Sequence, residues 1–179
     1  EISKSDETKF SRKRVPIFWN EEKETYLFVD DVSGEEELVL YSASDLTRKS
    51  FQVDAQGRII EILKQPLAER VFFTNHKYEL RYFDFEKEES YLIDQSRFGR
   101  IEDLSFSPCG NYLAYTFPAN YEISQIKLFD FEAKETKVLT KELKNDFSPS
   151  FDPEGRFIFF LSSRVFDPVR DPLLPNVSF

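Results

Sequence analysis

A spacing of roughly 42–46 residues recurs in two independent markers, and a repeat of that length restricts the fold more than any other feature of the chain. The segments Leu104-Ser105-Phe106-Ser107-Pro108-Cys109-Gly110-Asn111-Tyr112-Leu113-Ala114-Tyr115 and Pro149-Ser150-Phe151-Asp152-Pro153-Glu154-Gly155-Arg156-Phe157-Ile158-Phe159-Phe160 share one plan. An apolar residue leads into a polar-Pro-x-Gly turn, and an alternating aromatic run follows. Phe106 and Phe151 lie 45 residues apart, and two steps of 44 back from Phe106 reach Ile62 and Phe18. Each of these precedes a further apolar run, Val71–Phe73 and Tyr26–Val29. The second marker, Tyr82-Phe83-Asp84-Phe85-Glu86, returns 46 residues on as Leu128-Phe129-Asp130-Phe131-Glu132. A weaker copy, Leu40-Tyr41-Ser42-Ala43-Ser44-Asp45, begins 42 residues before it. Polar turns and the short runs Lys49–Val53, Ser90–Ile93 and Thr136–Leu139 follow these copies.

Each repeat thus holds four short alternating segments; in the third they cover about 101–106, 111–117, 123–130 and 135–139. Strands of that length, with a turn signal roughly every ten residues, read as antiparallel sheet. Four strands repeating at this period predict an all-β chain, a partial β-propeller of about three and a half four-stranded antiparallel blades. With 20 Phe, 8 Tyr and 1 Trp, the composition favours pleated, half-buried surfaces. The expected organisation is a polar segment or leftover outer strand at 1–14 and blades at 15–54, 55–97 and 98–144. An incomplete fourth blade with a Pro-rich loop follows at 145–179, all within one propeller domain. The Pro-Cys-Gly and Pro-Glu-Gly turns suit tight hairpins, since Pro presets φ and Gly accepts a positive one. Lys64-Gln65-Pro66-Leu67-Ala68-Glu69 replaces that turn in the second repeat, which predicts a longer and less regular hairpin. Phe131–Asn145 is rich in helix formers, but its register with the sibling repeats places a strand at Thr136–Leu139. The aromatic runs at 82–85, 128–131 and 157–160 are expected between stacked blades, with Phe106 and Phe151 in the core.

Charge and cysteine use narrow the function classes. The 179 residues carry a net charge of −9, against the basic face that nucleic acid or an anionic membrane would require. No apolar run is long enough to span a bilayer. The opening Glu1-Ile2-Ser3-Lys4 lacks a signal-peptide apolar region, and Cys109 is alone, so no disulfide within the chain is expected. These features lean to a cytoplasmic protein. The absence of Met implies a mature form or a piece of something longer.

The chemistry-bearing residues are few. His76, the single histidine, falls in the turn Thr74-Asn75-His76-Lys77, a poor place to hold a base against a nucleophile. No Gly-x-Ser-x-Gly elbow occurs. Cys109 occupies the variable position of a repeated turn that carries Glu154 in its sister copy, as a bystander thiol would. The acidic cluster Asp30-Asp31-Val32-Ser33-Gly34-Glu35-Glu36-Glu37 fails the calcium-loop pattern and reads as a charged hairpin. One Cys and one His exclude a structural zinc set. No catalytic residue, metal or cofactor is therefore expected. Arg164 and Arg170 flank the Pro-rich loop and are candidates to hold a peptide carboxylate by bidentate bonding; the plainer reading pairs them with Asp167 or Asp171.

The segment 149–169, Pro-x-Phe-Asp-Pro-x-Gly-Arg-Phe-Ile-Phe-Phe-Leu-Ser-Ser-Arg followed by Phe-Asp-Pro-Val, resembles the N-terminal β-propeller region of tricorn-type proteases. The Ser-Pro-x-Gly turn at 107–110 resembles the wider TolB-like propeller repeat. The tricorn resemblance implies a non-catalytic propeller segment of a serine peptidase, gating or scaffolding peptide substrates for a catalytic domain outside this chain. It implies a peptide or protein substrate as partner, and no catalytic residue is carried over from it. The alternatives are a self-standing TolB-like module for protein–protein interaction and a propeller of prolyl-oligopeptidase type. Three and a half blades leave open edges, so self-association is expected.

Overall fold

The computed structural model describes residues 18–21, 23–32, 35–53, 58–142 and 144–163, and among these it contains fourteen strands and no helix. The chain divides into two compact units, Glu1–Arg58 and Ile59–Phe179.

The first unit holds one antiparallel meander, β1 (Phe18–Asn20), β2 (Thr25–Val32), β3 (Glu35–Ser42) and β4 (Arg48–Gln52). Leu27, Leu38 and Phe51 are buried on one face, and Val39 is buried on the other. The acidic cluster spans the β2–β3 hairpin, in register from Thr25 opposite Ser42 to Val32 opposite Glu35. Asp30 receives a 2.8 Å bond from the Arg48 guanidinium, so one of these acids is spent on cross-strand pairing.

The second unit repeats the same meander. Its first sheet is β5 (Ile59–Lys64), β6 (Arg70–Asn75), β7 (Glu79–Asp84) and β8 (Glu89–Gln95). The next is β9 (Glu102–Phe106), β10 (Tyr112–Pro118), β11 (Ser124–Asp130) and β12 (Glu135–Val138). The last described sheet is the pair β13 (Asn145–Phe151) and β14 (Ile158–Ser163). Burial grades across each sheet: β6 is buried along Val71–Asn75, whereas β12 is exposed throughout. Phe72, Leu80, Ile101, Leu104, Leu113, Tyr115 and Phe129 make one core, with Phe106 and Phe131 packed against it. Phe131 lies 5.3 Å from the Phe72 ring and 5.4 Å from Tyr82, so an aromatic of one blade seats on two of the preceding one.

The second sequence marker is a turn device. The Asp84 carboxylate accepts from the amides of Glu86 and Lys87, and Asp130 accepts from those of Glu132 and Ala133. An aspartate bonded to the backbone two residues on closes a turn without help from elsewhere. Positive φ at Glu88 (56°) and Lys134 (54°) completes the two reversals. The stretch Phe131–Asn145 accordingly carries the strand β12 rather than a helix.

Three sequence expectations are corrected. The β5–β6 hairpin is no longer than its siblings: Gln65 N bonds Arg70 O, as Ser107 N bonds Tyr112 O and Asp152 N bonds Phe157 O. Leu67 takes the positive φ (59°) there, one step earlier than Gly110 (75°) and Gly155 (70°) in theirs, so Pro66-Leu67 turns the chain in the same length. These hairpins equate Gln65 with Ser107, so Ile62 matches buried Leu104 rather than Phe106, and the offset between these two repeats is 42 residues rather than 44. Phe106 and Phe151 are half-buried, not fully buried core. Finally, Phe157, Phe159 and Phe160 of the 157–160 run are exposed, Phe159 at 62% and Leu161 beyond it at 58%, while Ile158 is half-buried. Among the described residues no strand pairs the outer edge of β14.

Candidate functional site

In the second unit the first strands of successive sheets, β5, β9 and β13, lie side by side, and a side chain near the start of β5 and of β9 bonds to the next strand. Glu61 Oε1 accepts from Leu104 N at 3.0 Å, and Asp103 Oδ2 accepts from Ser148 N at 3.1 Å. Glu61 and Asp103 occupy equivalent hairpin positions. Burial pushes the Glu61 carboxyl above its ordinary range, the Leu104 amide opposes that, and the Asp103 carboxylate adds to it. A second tie is charged: Asp94 Oδ2 receives both Tyr115 Oη and Lys127 Nζ at 2.8 Å. Burial, and then the Asp94 charge, holds the Tyr115 phenol well above its usual range, so it stays a proton donor. These bonds tie adjoining blades together.

The ends of these strands carry a cleft of about 360 Å³. One wall is the connector between β8 and β9. Its Ser96 hydroxyl donates to Pro118 O at 3.0 Å and accepts from Phe98 N at 3.1 Å, which pins the connector to the end of β10. Gly99 lies against Pro118, where a Cβ would make ordinary contact at 3.4 Å from Cγ. The other wall is the β10–β11 loop. Asn120 Oδ1 accepts from Glu122 N and Ile123 N at 2.8 and 2.9 Å, tying off the loop and leaving Tyr121 at its tip. Ser124 N donates to Asn145 Oδ1 at 3.0 Å, which joins the loop to the first residue of β13.

Three exposed side chains mark this cleft. Tyr121 is 85% exposed and meets Phe98 edge to face, with ring centroids 5.3 Å apart. Arg100 lines the same cleft and has no hydrogen-bond or ion-pair partner among the described residues, although Glu102 and Glu122 also line it. The arrangement offers an aromatic surface, a guanidinium with no partner among the described residues, and two carboxylates. It has no nucleophile–base pair, and among the described residues no group of three or more His, Cys, Asp or Glu could hold a metal ion.

His76 and Cys109, singled out in the sequence, lie elsewhere. His76 is exposed on the β6–β7 turn. Cys109 is exposed on the β9–β10 turn, where the Ser107 hydroxyl, 3.3 Å away, and the Asn111 amide lower its thiol pKa. Arg164 and Arg170 lie outside the described residues. Sequence reasoning passed over Phe98, Arg100 and Tyr121. The available signal was an aromatic in the polar hairpin Ala119-Asn120-Tyr121-Glu122, together with Arg97 and Arg100 in a connector of an acidic chain.

The sequence model of the tricorn protease second beta propeller domain matches residues 4–179. The chain belongs to that family. The tricorn protease homolog of Saccharolobus solfataricus is 34% identical over 148 residues, 83% of this chain and 14% of that protein. Tricorn protease homolog 1 of Streptomyces coelicolor is 28% identical over 173 residues, 94% of this chain and 16% of that protein. The chain therefore spans about a seventh of the length of these relatives. A crystal structure of the tricorn protease superposes with a TM-score of 0.74 at 22% identity, covering 87% of this chain and 16% of that one. TolB from Acinetobacter baumannii gives a TM-score of 0.55 at 19% identity over 82% of this chain and 38% of that one. Both likenesses are of fold alone. The partial propeller read from the repeat is the fold of this chain, as a segment of a tricorn-type propeller region.

Proposed function

We propose that this chain is a non-catalytic propeller segment of a tricorn-like serine protease, which gates or scaffolds peptide substrates for a catalytic domain elsewhere in the parent protein. The observation that carries the reading is family membership over residues 4–179, in a chain that spans only about a seventh of its protease relatives. The rigid ladders, and acids spent on ties between blades, suit a scaffold that positions a substrate rather than transforms it. The setting is the cytoplasm, and the partner is a peptide.

Incubating the purified chain with unstructured peptides of about a dozen residues tests this. The expected result is binding, seen as a rise in fluorescence anisotropy, with every peptide recovered intact. Cleavage blocked by a serine-directed inhibitor would overturn the non-catalytic assignment. Absence of binding by any peptide up to millimolar concentration would overturn substrate handling.

A further inference from the structure

We propose that the cleft between the β8–β9 connector and the β10–β11 loop is a peptide subsite that takes an aromatic side chain against Phe98 and Tyr121 and a carboxylate at Arg100. The inference rests on the substrate-handling reading above and gives it residues and ligand chemistry.

Four observations converge on it. The first is the aromatic pair. A tyrosine ring 85% exposed at a loop tip gains nothing from the core, yet it is held edge to face against Phe98 at 5.3 Å. Rings presented this way are strong anchors for a partner's apolar group, and a third ring continues the edge-to-face arrangement favourably. The second is Arg100. In a chain of net charge −9, an arginine beside Glu102 and Glu122 that pairs with neither is available to an incoming anion. Its planar fork matches a carboxylate bidentately.

The third is rigidity. Asn120 ties the loop through two amides, and Ser96 ties the connector to Pro118, so little ordering is left to occur when a ligand binds. The fourth is size and place. About 360 Å³ accommodates one large side chain and the backbone around it. Glu102 opens β9 and Asn145 opens β13, so the cleft sits at the mouth of the inner strands, which line the channel of a propeller. Glu102 and Glu122 also limit the ligand: they repel a run of acids, so the peptide carries a lone carboxylate close to its aromatic residue.

That carboxylate is either the peptide's C-terminus or an Asp or Glu side chain, and three probes separate them. Fluorescein-labelled octapeptides of Gly and Ser would end in Phe with a free carboxylate, end in Phe amide, or carry an internal Glu-Phe pair with a C-terminal amide. Anisotropy titrations of the whole purified chain read the affinities. At least one carboxylate-bearing probe should bind about tenfold more tightly than Phe amide; whichever it is identifies the source. Arg100→Gln should remove that advantage while leaving affinity for Phe amide unchanged. Tyr121→Ala should weaken all three probes about tenfold or more. Both positions are exposed, and circular dichroism of each variant checks the fold. If the probes bind but neither substitution changes their affinity, this subsite assignment is wrong and substrate handling stands. If no probe and no longer peptide binds, both fail.

Discussion

The carbonyl oxygen of Pro66 lies 2.6 Å from the point that a Cβ on Gly110 would occupy, and Gln65 Nε2 donates to Gly110 O at 2.7 Å. The contact joins the first hairpins of two successive blades. It recurs one repeat later, where a Cβ on Gly155 would meet Pro108 Cδ at 3.3 Å. The turn glycine therefore serves two demands at once, a positive φ and the close approach of the preceding blade's proline.

Gly110→Ala should consequently destabilise the chain more than Gly155→Ala. Both alanines are forced to a positive φ, which costs about 1–3 kcal/mol. Only at Gly110 does the new methyl also strike a backbone oxygen, which cannot move without disturbing the Gln65 bond. Urea midpoints of the two variants read the difference, and equal losses would contradict the stacking of the two hairpins.

Core energetics should follow the second strand rather than the repeated turn-flanking phenylalanine. Phe72 is fully buried, and its ring meets Tyr82, Phe106 and Phe131 at 5.4, 4.9 and 5.3 Å. Phe72→Ala should cost about 3–5 kcal/mol. Phe151, half-buried beside the exposed β14, should lose clearly less on the same substitution. Denaturant titration gives both values, and a reversed order would show that the aromatic core is centred elsewhere.

Much of the fold was legible because its turns need particular residues. The Asp84 and Asp130 carboxylates close their turns through local amides, so the marker survives in the sequence whatever packs around it. The same holds for Gly110 and Gly155. The β5–β6 hairpin was misread because Pro66-Leu67 makes the reversal with a positive φ at a leucine, which no residue type announces. The exposure of Phe157, Phe159, Phe160 and Leu161 was hidden for another reason: alternation reports a strand's period, not whether a neighbour covers it. The candidate site was almost illegible. Its walls meet through bonds such as Ser96 Oγ to Pro118 O, 22 residues apart in sequence, and none of its residues belongs to a repeated motif.

Glu61 should make stability fall as pH rises. Its folded-state pKa is raised, first by burial and further by Asp103 and Glu102, so the folded protein holds the proton more tightly than the unfolded chain does. That stabilisation is complete below the unfolded value, near about 4.3, and is lost as pH climbs through the raised folded value. Glu61→Gln keeps an oxygen to accept from Leu104 N and carries no charge. The variant should match the parent at pH 4 and melt higher at pH 7. A variant less stable than the parent at pH 7 would show that the ionised carboxylate is a net asset to the junction of β5 and β9.

The exposed pair β13–β14 predicts association. Phe159 and Leu161 share one face of β14, and Phe160 lies on the other at 42% exposure. No described strand takes up the outer ladder of β14. A strand that is both unpaired and apolar is a template for another strand, and contiguous exposed apolar surface favours the same outcome. The purified chain should therefore exceed its 21.2 kDa monomer mass in light scattering at micromolar concentration. Phe159→Lys combined with Leu161→Lys places two charges on that face, the device by which natural edge strands avoid pairing. Both side chains are more than half exposed, so the double variant should keep its fold and shift toward monomer. A parent chain that is monomeric at all concentrations, or a double variant that associates as strongly as the parent, would remove β14 as the contact.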